Sequence, residues 1–195
     1  MPNPLIIVFL KSPRPGYVKT RLAKEIGDIG AATAYRQLCD TLFSKLHSVR
    51  RVQLRFAPDE AKPEILHWLN DHWEAKPQGE GDLGERMERT FEEADGPAII
   101  IGSDCPYLEI ADLEKATEAL EKHDMVIGPA NDGGYWLIGL NSPCPPLFRD
   151  INWGTHTVLG ETLARAETHG LSVHLARELQ DIDTATDWKD FCKRS

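Results

Sequence analysis

Short all-apolar runs alternate along this chain with segments of helical period, and that alternation restricts the fold more than any single motif does. Leu5-Ile6-Ile7-Val8-Phe9-Leu10 and Ala98-Ile99-Ile100-Ile101-Gly102 have no polar face. Runs of this kind fit strands covered on both sides, as in a parallel sheet between two layers of helices. Further strands are expected over 52–56, 73–76, 125–128, 136–140 and 173–175. Helices are expected from about Val18, then over 31–47, 60–69, 83–94, 111–122, 158–168 and 185–193. The order predicts an α/β three-layer sandwich, a mainly parallel sheet with helices on both faces, whose ligands bind at the carboxyl ends of the strands. A short turn at Asn131-Asp132-Gly133-Gly134 lies between the 125–128 and 136–140 strands, so these two should pair directly and break the alternation.

The first strand runs into a segregated charge pattern. The first 24 residues hold Lys11, Arg14, Lys19, Arg21 and Lys24 but no Asp or Glu, in a chain with 22 Lys+Arg against 31 Asp+Glu and a net charge of −9. Ser12-Pro13-Arg14-Pro15-Gly16 fixes an irregular turn whose backbone can approach a ligand, and the helix start that follows offers free N–H groups. A small phosphate-bearing molecule suits that loop. The acidic balance of the whole chain argues against nucleic acid and anionic membrane surfaces as partners.

A chain of 195 residues, 41% of them hydrophobic, can bury about 70% of its unfolded surface, so one domain over residues 1–195 is expected. Cys39, Cys105, Cys144 and Cys192 are far apart and show neither a Cys-x-x-Cys pair nor metal-ligand spacing. A reduced, cytoplasmic protein fits that usage, and no export or anchoring segment is evident.

Carboxylates recur at strand ends. Asp104 follows an all-apolar strand and precedes Pro106, a placement suited to a hard cation such as Mg²⁺ or to a ribose. Cys105 reads as a small packed residue. Asp132-Gly133-Gly134 suits either close approach to a ligand or an ordinary hairpin turn. In Asp181-Ile182-Asp183-Thr184, Thr184 is placed to cap the last helix, which leaves Asp183 for a second metal contact. Gly79-x-Gly81-x-x-Gly84 matches a dinucleotide fingerprint, yet Glu80, Asp82 and Glu85 would crowd negative charge against a pyrophosphate. A nucleoside contact through Gln78, Gly79, Leu83 and Arg86 fits better. His156 reads as a surface or capping residue.

These stretches, FLKSPRPGYVKTRL (9–22), GDLGERM (81–87), GSDCPYL (102–108), GPANDGGYWLIGL (128–140), Trp153-Gly154-Thr155 and the 181–188 segment, span nearly the whole chain in order. The chain resembles a bacterial family of nucleotide-diphospho-sugar transferase-like proteins, formerly a domain of unknown function, with members named for arsenosugar biosynthesis or selenium-related domains. That resemblance implies a GT-A-like fold and a Mg²⁺- or Mn²⁺-dependent transferase with a nucleotide-activated donor. It implies glycosyl transfer from a nucleotide-diphospho-sugar to a small acceptor, or alternatively nucleotidyl transfer that releases pyrophosphate. Most GT-A glycosyltransferases carry Asp-x-Asp, whereas this chain has Gly-Ser-Asp-Cys-Pro. The expected catalytic groups are Lys11, Lys19, Arg21 and Asp132. Leu10, Arg14, Gly16, Gln78, Gly79, Leu83, Arg86, Ser103, Asp104, Gly133 and Gly134 are expected at the nucleotide, and Asp104 and Asp183 at the metal. A homo-oligomer is compatible with the sequence.

Overall fold

The computed structural model describes residues 3–194. In chain order the elements are β1 (Leu5–Lys11), α1 (Thr20–Leu46), β2 (Val52–Ala57), α2 (Lys62–Ile65), β3 (Glu74–Pro77), α3 (Leu83–Glu93), β4 (Ala98–Gly102), α4 (Ile110–Leu120), β5 (Met125–Pro129), β6 (Tyr135–Leu140), α5 (Val158–Thr168), β7 (Val173–Leu175) and α6 (Ala185–Arg194). All seven strands join one sheet in the order β3-β2-β1-β4-β6-β5-β7. Every pairing is parallel except those of β6, which lies antiparallel between β4 and β5. The direct β5–β6 pairing anticipated from the short turn is therefore present, and the β-α-β alternation accounts for the rest.

Both faces of the central strands are buried, which is why their sequences carry no polar alternation. Ile6, Val8, Leu10, Ile99 and Ile101 face α1 and α4, packing with Leu42, Leu46, Leu113 and Ala116. Ile7, Ala98 and Ile100 face the opposite layer, with Met87 and Phe91 of α3 and Ala166 of α5. Full burial of each large aliphatic side chain contributes roughly 1.5–3 kcal/mol, so this two-sided contact dominates the stability of the sheet.

Two departures from the sequence reading have local causes. The helical pattern from about Val18 and the 31–47 helix belong to one element, α1, broken at Gly27 with φ 76° and ψ 162°. The helix expected over 60–69 is only the single turn α2 followed by a 3₁₀ turn, Leu66–Trp68. Pro63, near the start of α2, has no N–H to extend a ladder backwards. At the other end the Trp68 indole donates to Asp40 at 2.7 Å, fixing the chain against α1 instead of letting the helix run on.

Strand order reverses at β1. The chain moves from β1 to β2 and β3 on one side, then crosses to β4 on the other. The crevice at the carboxyl ends of β1 and β4 is thus a topological switch point, the place where open α/β sheets accept ligands.

Candidate active site

Lys11 ends β1, and Gly102-Ser103-Asp104 leads out of β4 beside it, because Phe9 pairs with Gly102 across the sheet. Buried Tyr35 of α1 joins the two ends: its hydroxyl accepts the Lys11 N–H at 2.9 Å and shares a 2.7 Å hydrogen bond with Ser103 Oγ. Gly102 allows Asp104 to fold back over the strand, since a Cβ there would stand 3.0 Å from Asp104 Oδ1. A cleft of about 330 Å³ opens above, large enough for much of a nucleotide. Of the residues expected at a site, Leu10, Lys11, Lys19, Arg21, Gln78, Leu83, Ser103, Asp104 and Asp183 line it.

Lys19 is the centre of its electrostatics. Its Nζ lies 2.9 Å from Asp104 Oδ2 and 3.0 Å from Asp183 Oδ1, and the side chain is only 4% exposed. Arg21 reaches the other Asp183 oxygen at 3.2 Å. The Lys19 backbone is left-handed (φ 48°, ψ 47°) at the cap of α1. For a non-glycine residue that conformation costs roughly 1 kcal/mol and persists only where the surroundings impose it. Burial alone would drive the Lys19 ammonium toward neutrality, but Asp104 and Asp183 overcome it and hold its pKa above the usual lysine value. Burial likewise pushes the Asp104 carboxyl up, and the adjacent Lys19 ammonium reverses that to a net lowering.

Asp181 is the residue the sequence reading passed over. Its pKa is pushed up to about 8, first by burial and then by the charge of Asp104, with Asp132 and Asp183 adding to it. Its Oδ1 is buried without a hydrogen-bond partner. Thr184, by contrast, does cap α6: its hydroxyl accepts the Asp187 N–H at 3.2 Å while Asp187 accepts the Thr184 N–H at 2.8 Å. Phe9, Val18, Thr20, Tyr35 and Gly102 also line the cleft without having been singled out. Tyr35 sits in a helical run of apolar period, where a tyrosine reads as core, and nothing in the sequence marks its hydroxyl as a bridge.

Other expected site residues lie outside the cleft lining. Arg14 turns to α2: Nε donates to both Glu64 oxygens at 2.9 and 3.1 Å and Nη1 to Glu60 at 3.0 Å. That pairing, followed by the hydrogen bond from Ser12, holds the Glu64 pKa down at about 2. Gly16 takes φ 82° and faces Asp28 rather than the cleft. Gly79 donates its N–H to Asp59, and a Cβ on it would meet Arg89 at 2.4 Å. Arg86 supports the cleft from behind, donating to Gln78 Oε1 at 3.2 Å, while Gln78 Nε2 donates to the carbonyls of Leu10 and Arg55. Gly133 (φ 88°) packs its turn onto α5, since a Cβ would stand 2.2 Å from the His156 carbonyl oxygen. Exposed Asp132 accepts the Gly134 N–H at 2.9 Å. In the fingerprint-like segment, Asp82 and Glu85 form a reciprocal capping box on α3, so carboxylates occupy the helix start that a pyrophosphate would need. Gly84 is a packing contact, with no room for a Cβ against the Phe148 carbonyl. Buried Cys105 has its pKa raised by burial, then by Asp181 and Asp104, and is no nucleophile.

The donor set suits a hard divalent ion. Asp104 and Asp183 already converge on one cationic centre, and Asp181 lies close enough to feel the charge of both. Among the described residues no three His, Cys, Asp or Glu side chains form a complete metal site. An ion on these two carboxylates would fill its shell with substrate phosphates and water, the usual manner of Mg²⁺. No helix among the described residues is long and apolar enough to cross a membrane.

Known proteins bear on this arrangement. A family described as an uncharacterized protein conserved in bacteria, DUF2064, matches residues 43–155. No curated protein matches the chain. A crystal structure from Desulfovibrio desulfuricans G20, described as a nucleotide-diphospho-sugar transferase, is 34% identical, covers 95% of this chain and 85% of its own, and superposes with a TM-score of 0.85. The inositol-1-phosphate CTP transferase of T. maritima is 13% identical, with 95% and 91% of the two chains covered and a TM-score of 0.59, a likeness of fold. Rv0371c of Mycobacterium tuberculosis H37Rv, crystallised with manganese, is 14% identical with 97% and 98% covered and a TM-score of 0.50. The sheet order is therefore that of the GT-A-like nucleotide-diphospho-sugar transferase fold, and with more than half of its length matched by the family model the chain belongs to the conserved bacterial family DUF2064.

Proposed function

We propose that this protein is a Mg²⁺- or Mn²⁺-dependent transferase acting on a nucleotide-activated donor, and that it moves a glycosyl group from a nucleotide-diphospho-sugar to a small acceptor. One observation carries the reading: Lys11, Lys19 and Arg21 share a single cleft with Asp104 and Asp183 at the switch point of the sheet. The description of the Desulfovibrio relative supports it.

In this reading Lys11, Lys19 and Arg21 bind the diphosphate and neutralise the charge that grows on the departing nucleoside diphosphate. Leu10, Leu83 and Ser103 border the nucleoside, and Gln78 holds the wall behind it by tying the ends of β1 and β2 together. Arg14 anchors the loop through Glu60 and Glu64, and Gly16, Gly79 and Arg86 shape the backbone around the cleft. Asp104 and Asp183 hold the divalent ion, which supplies charge stabilisation at phosphate oxygens. Asp132, on the turn that Gly133 and Gly134 form, takes the proton of the acceptor hydroxyl as general base.

Nucleotidyl transfer to a phosphorylated small molecule is the second reading. The commitment of Asp132 to the Gly134 N–H favours it, because an anionic phosphate nucleophile needs no base. Incubation with nucleoside triphosphates and nucleotide-sugars plus Mg²⁺ and small acceptors distinguishes the two. Nucleoside diphosphate release supports glycosyl transfer; pyrophosphate release supports nucleotidyl transfer. Wild-type protein that binds nucleotide but releases neither product, with binding that survives Asp104→Asn, leaves only a binding module, and the absence of both release and binding defeats the reading altogether.

A further inference from the structure

The Lys19 ammonium occupies the gap between the two carboxylates that, in the function proposed above, hold the divalent ion. Its Nζ is within 3.0 Å of an oxygen from each. An ion coordinated to the same oxygens at about 2.0–2.1 Å would stand in that same gap, and two cations cannot share it. The placement is specific. Lys19 is one of five cations in the basic segment, and it alone touches both Asp104 and Asp183. Its backbone is held left-handed at the start of α1, and its four-carbon stem has the rotatable bonds through which the ammonium could change partner. Lys11 and Arg21 line the same cleft, so an ammonium leaving the carboxylates stays beside the phosphate-binding cations.

We propose that Lys19 is a built-in competitor of the divalent ion: it ion-pairs Asp104 and Asp183 against metal alone and leaves them when the ion arrives with a phosphate that offers the ammonium another anion. The proposal rests on the metal-dependent reading above. It makes metal and nucleotide enter together, because only the pair gives every charge a partner. Free Mg²⁺ then binds poorly, and the carboxylates are kept from sequestering stray cations.

The test is Mn²⁺ binding to the nucleotide-free protein, followed by the paramagnetic resonance signal of the free ion, for wild type, Lys19→Met and Asp104→Asn. Lys19→Met should bind Mn²⁺ about tenfold or more tightly than wild type, as expected when a dominant closed state is removed, and Asp104→Asn should lose the site. A second measurement needs no substitution. Acetylation of lysines in the wild-type protein, read by peptide mass spectrometry, should modify Lys19 slowly without Mn²⁺ and about tenfold faster at high Mn²⁺. Lys45, bound to Glu109 and the carbonyls of Pro106 and Leu108, serves as the unaffected control. Equal Mn²⁺ affinity in wild type and Lys19→Met, or Lys19 labelling unmoved by Mn²⁺, overturns the competition and leaves the transferase reading intact. Absence of Mn²⁺ binding in both proteins overturns the competition together with the metal-dependent part of that reading. Failure of the transfer chemistry shows separately, as the absence of released nucleoside diphosphate or pyrophosphate.

Discussion

Arg14 and Lys19 lie on the same loop, and each cation faces two carboxylates. Arg14 meets its partners at and just before one short helix, Glu60 and Glu64, with its planar fork matched to them and its side chain 31% exposed. Every charge in that group has a partner. Lys19 is buried, and its partners come from the ends of two distant stretches of chain, Asp104 and Asp183, with the unpaired Asp181 beside them. One group is satisfied and tethers a loop; the other leaves a buried carboxyl oxygen of Asp181 without a hydrogen-bond partner, held in place by the whole fold. A buried polar atom left without a partner is costly and marks a candidate site, whereas a satisfied surface pair needs no such explanation. The two ends of one basic segment therefore separate into an anchor and a site.

That separation breaks most severely at Asp104. Asp104→Asn removes one of the two carboxylates that pair with Lys19 and that, in the proposed function, hold the ion, and turnover should fall on the order of 10³-fold, the scale of a lost preorganised charge in a partly desolvated cleft. Steady-state kinetics with a melting curve checks it, since an unchanged melting temperature excludes unfolding as the cause. Lys19→Ala comes next, with turnover lower by about 10²-fold, because Lys11 and Arg21 retain part of the phosphate field. Equal losses from Lys19→Ala and Arg14→Ala would erase the distinction between the two ends.

The frame and the site were legible in the sequence to different depths, for physical reasons. The run Ala98–Gly102 is found where expected because a strand buried on both faces admits no polar residue, and α5 begins and ends where its apolar period does. The helix over 60–69 fails because apolar spacing does not register that Pro63 limits backward growth. Lys11, Lys19, Asp104 and Asp183, singled out by charge segregation and position after strands, line one cleft. Arg14 belongs to the same segregated segment and lies outside the cleft lining, since its partners Glu60 and Glu64 are joined to it only by the tertiary fold. Gly133 was open between a ligand contact and a turn; the glycine that lets a ligand approach and the glycine that lets the His156 carbonyl approach are identical in sequence.

The Arg14 end sharpens the comparison through smaller effects. Arg14→Ala frees the loop from α2 without touching the cleft, so KM for the nucleotide should rise about threefold while kcat holds, the signature of lost uniform binding. A fall in kcat equal to that of Lys19→Ala would instead place the guanidinium on the reacting phosphate during turnover.

The smallest effect is a pH dependence confined to the anchor. The Glu64 carboxyl is held at about 2 by Arg14, with Ser12 adding a further hydrogen bond, against an ordinary value of 4.5. A carboxyl whose pKa is depressed on folding stabilises the folded chain above its ordinary value and loses that contribution as pH falls toward the folded one. The contribution of Glu64 is thus complete above about pH 5 and gone near pH 2. It is also modest, because the side chain is 37% exposed and water screens the pair. Melting temperatures of wild type and Glu64→Gln should differ by a constant amount from pH 5 to 8 and converge as the pH is lowered from 5 toward 2. The absence of any difference between pH 5 and 8 would mean that the amide keeps the loop tethered as well as the carboxylate does, and that the anchor is held by the shape of the loop and not by the Arg14 charge.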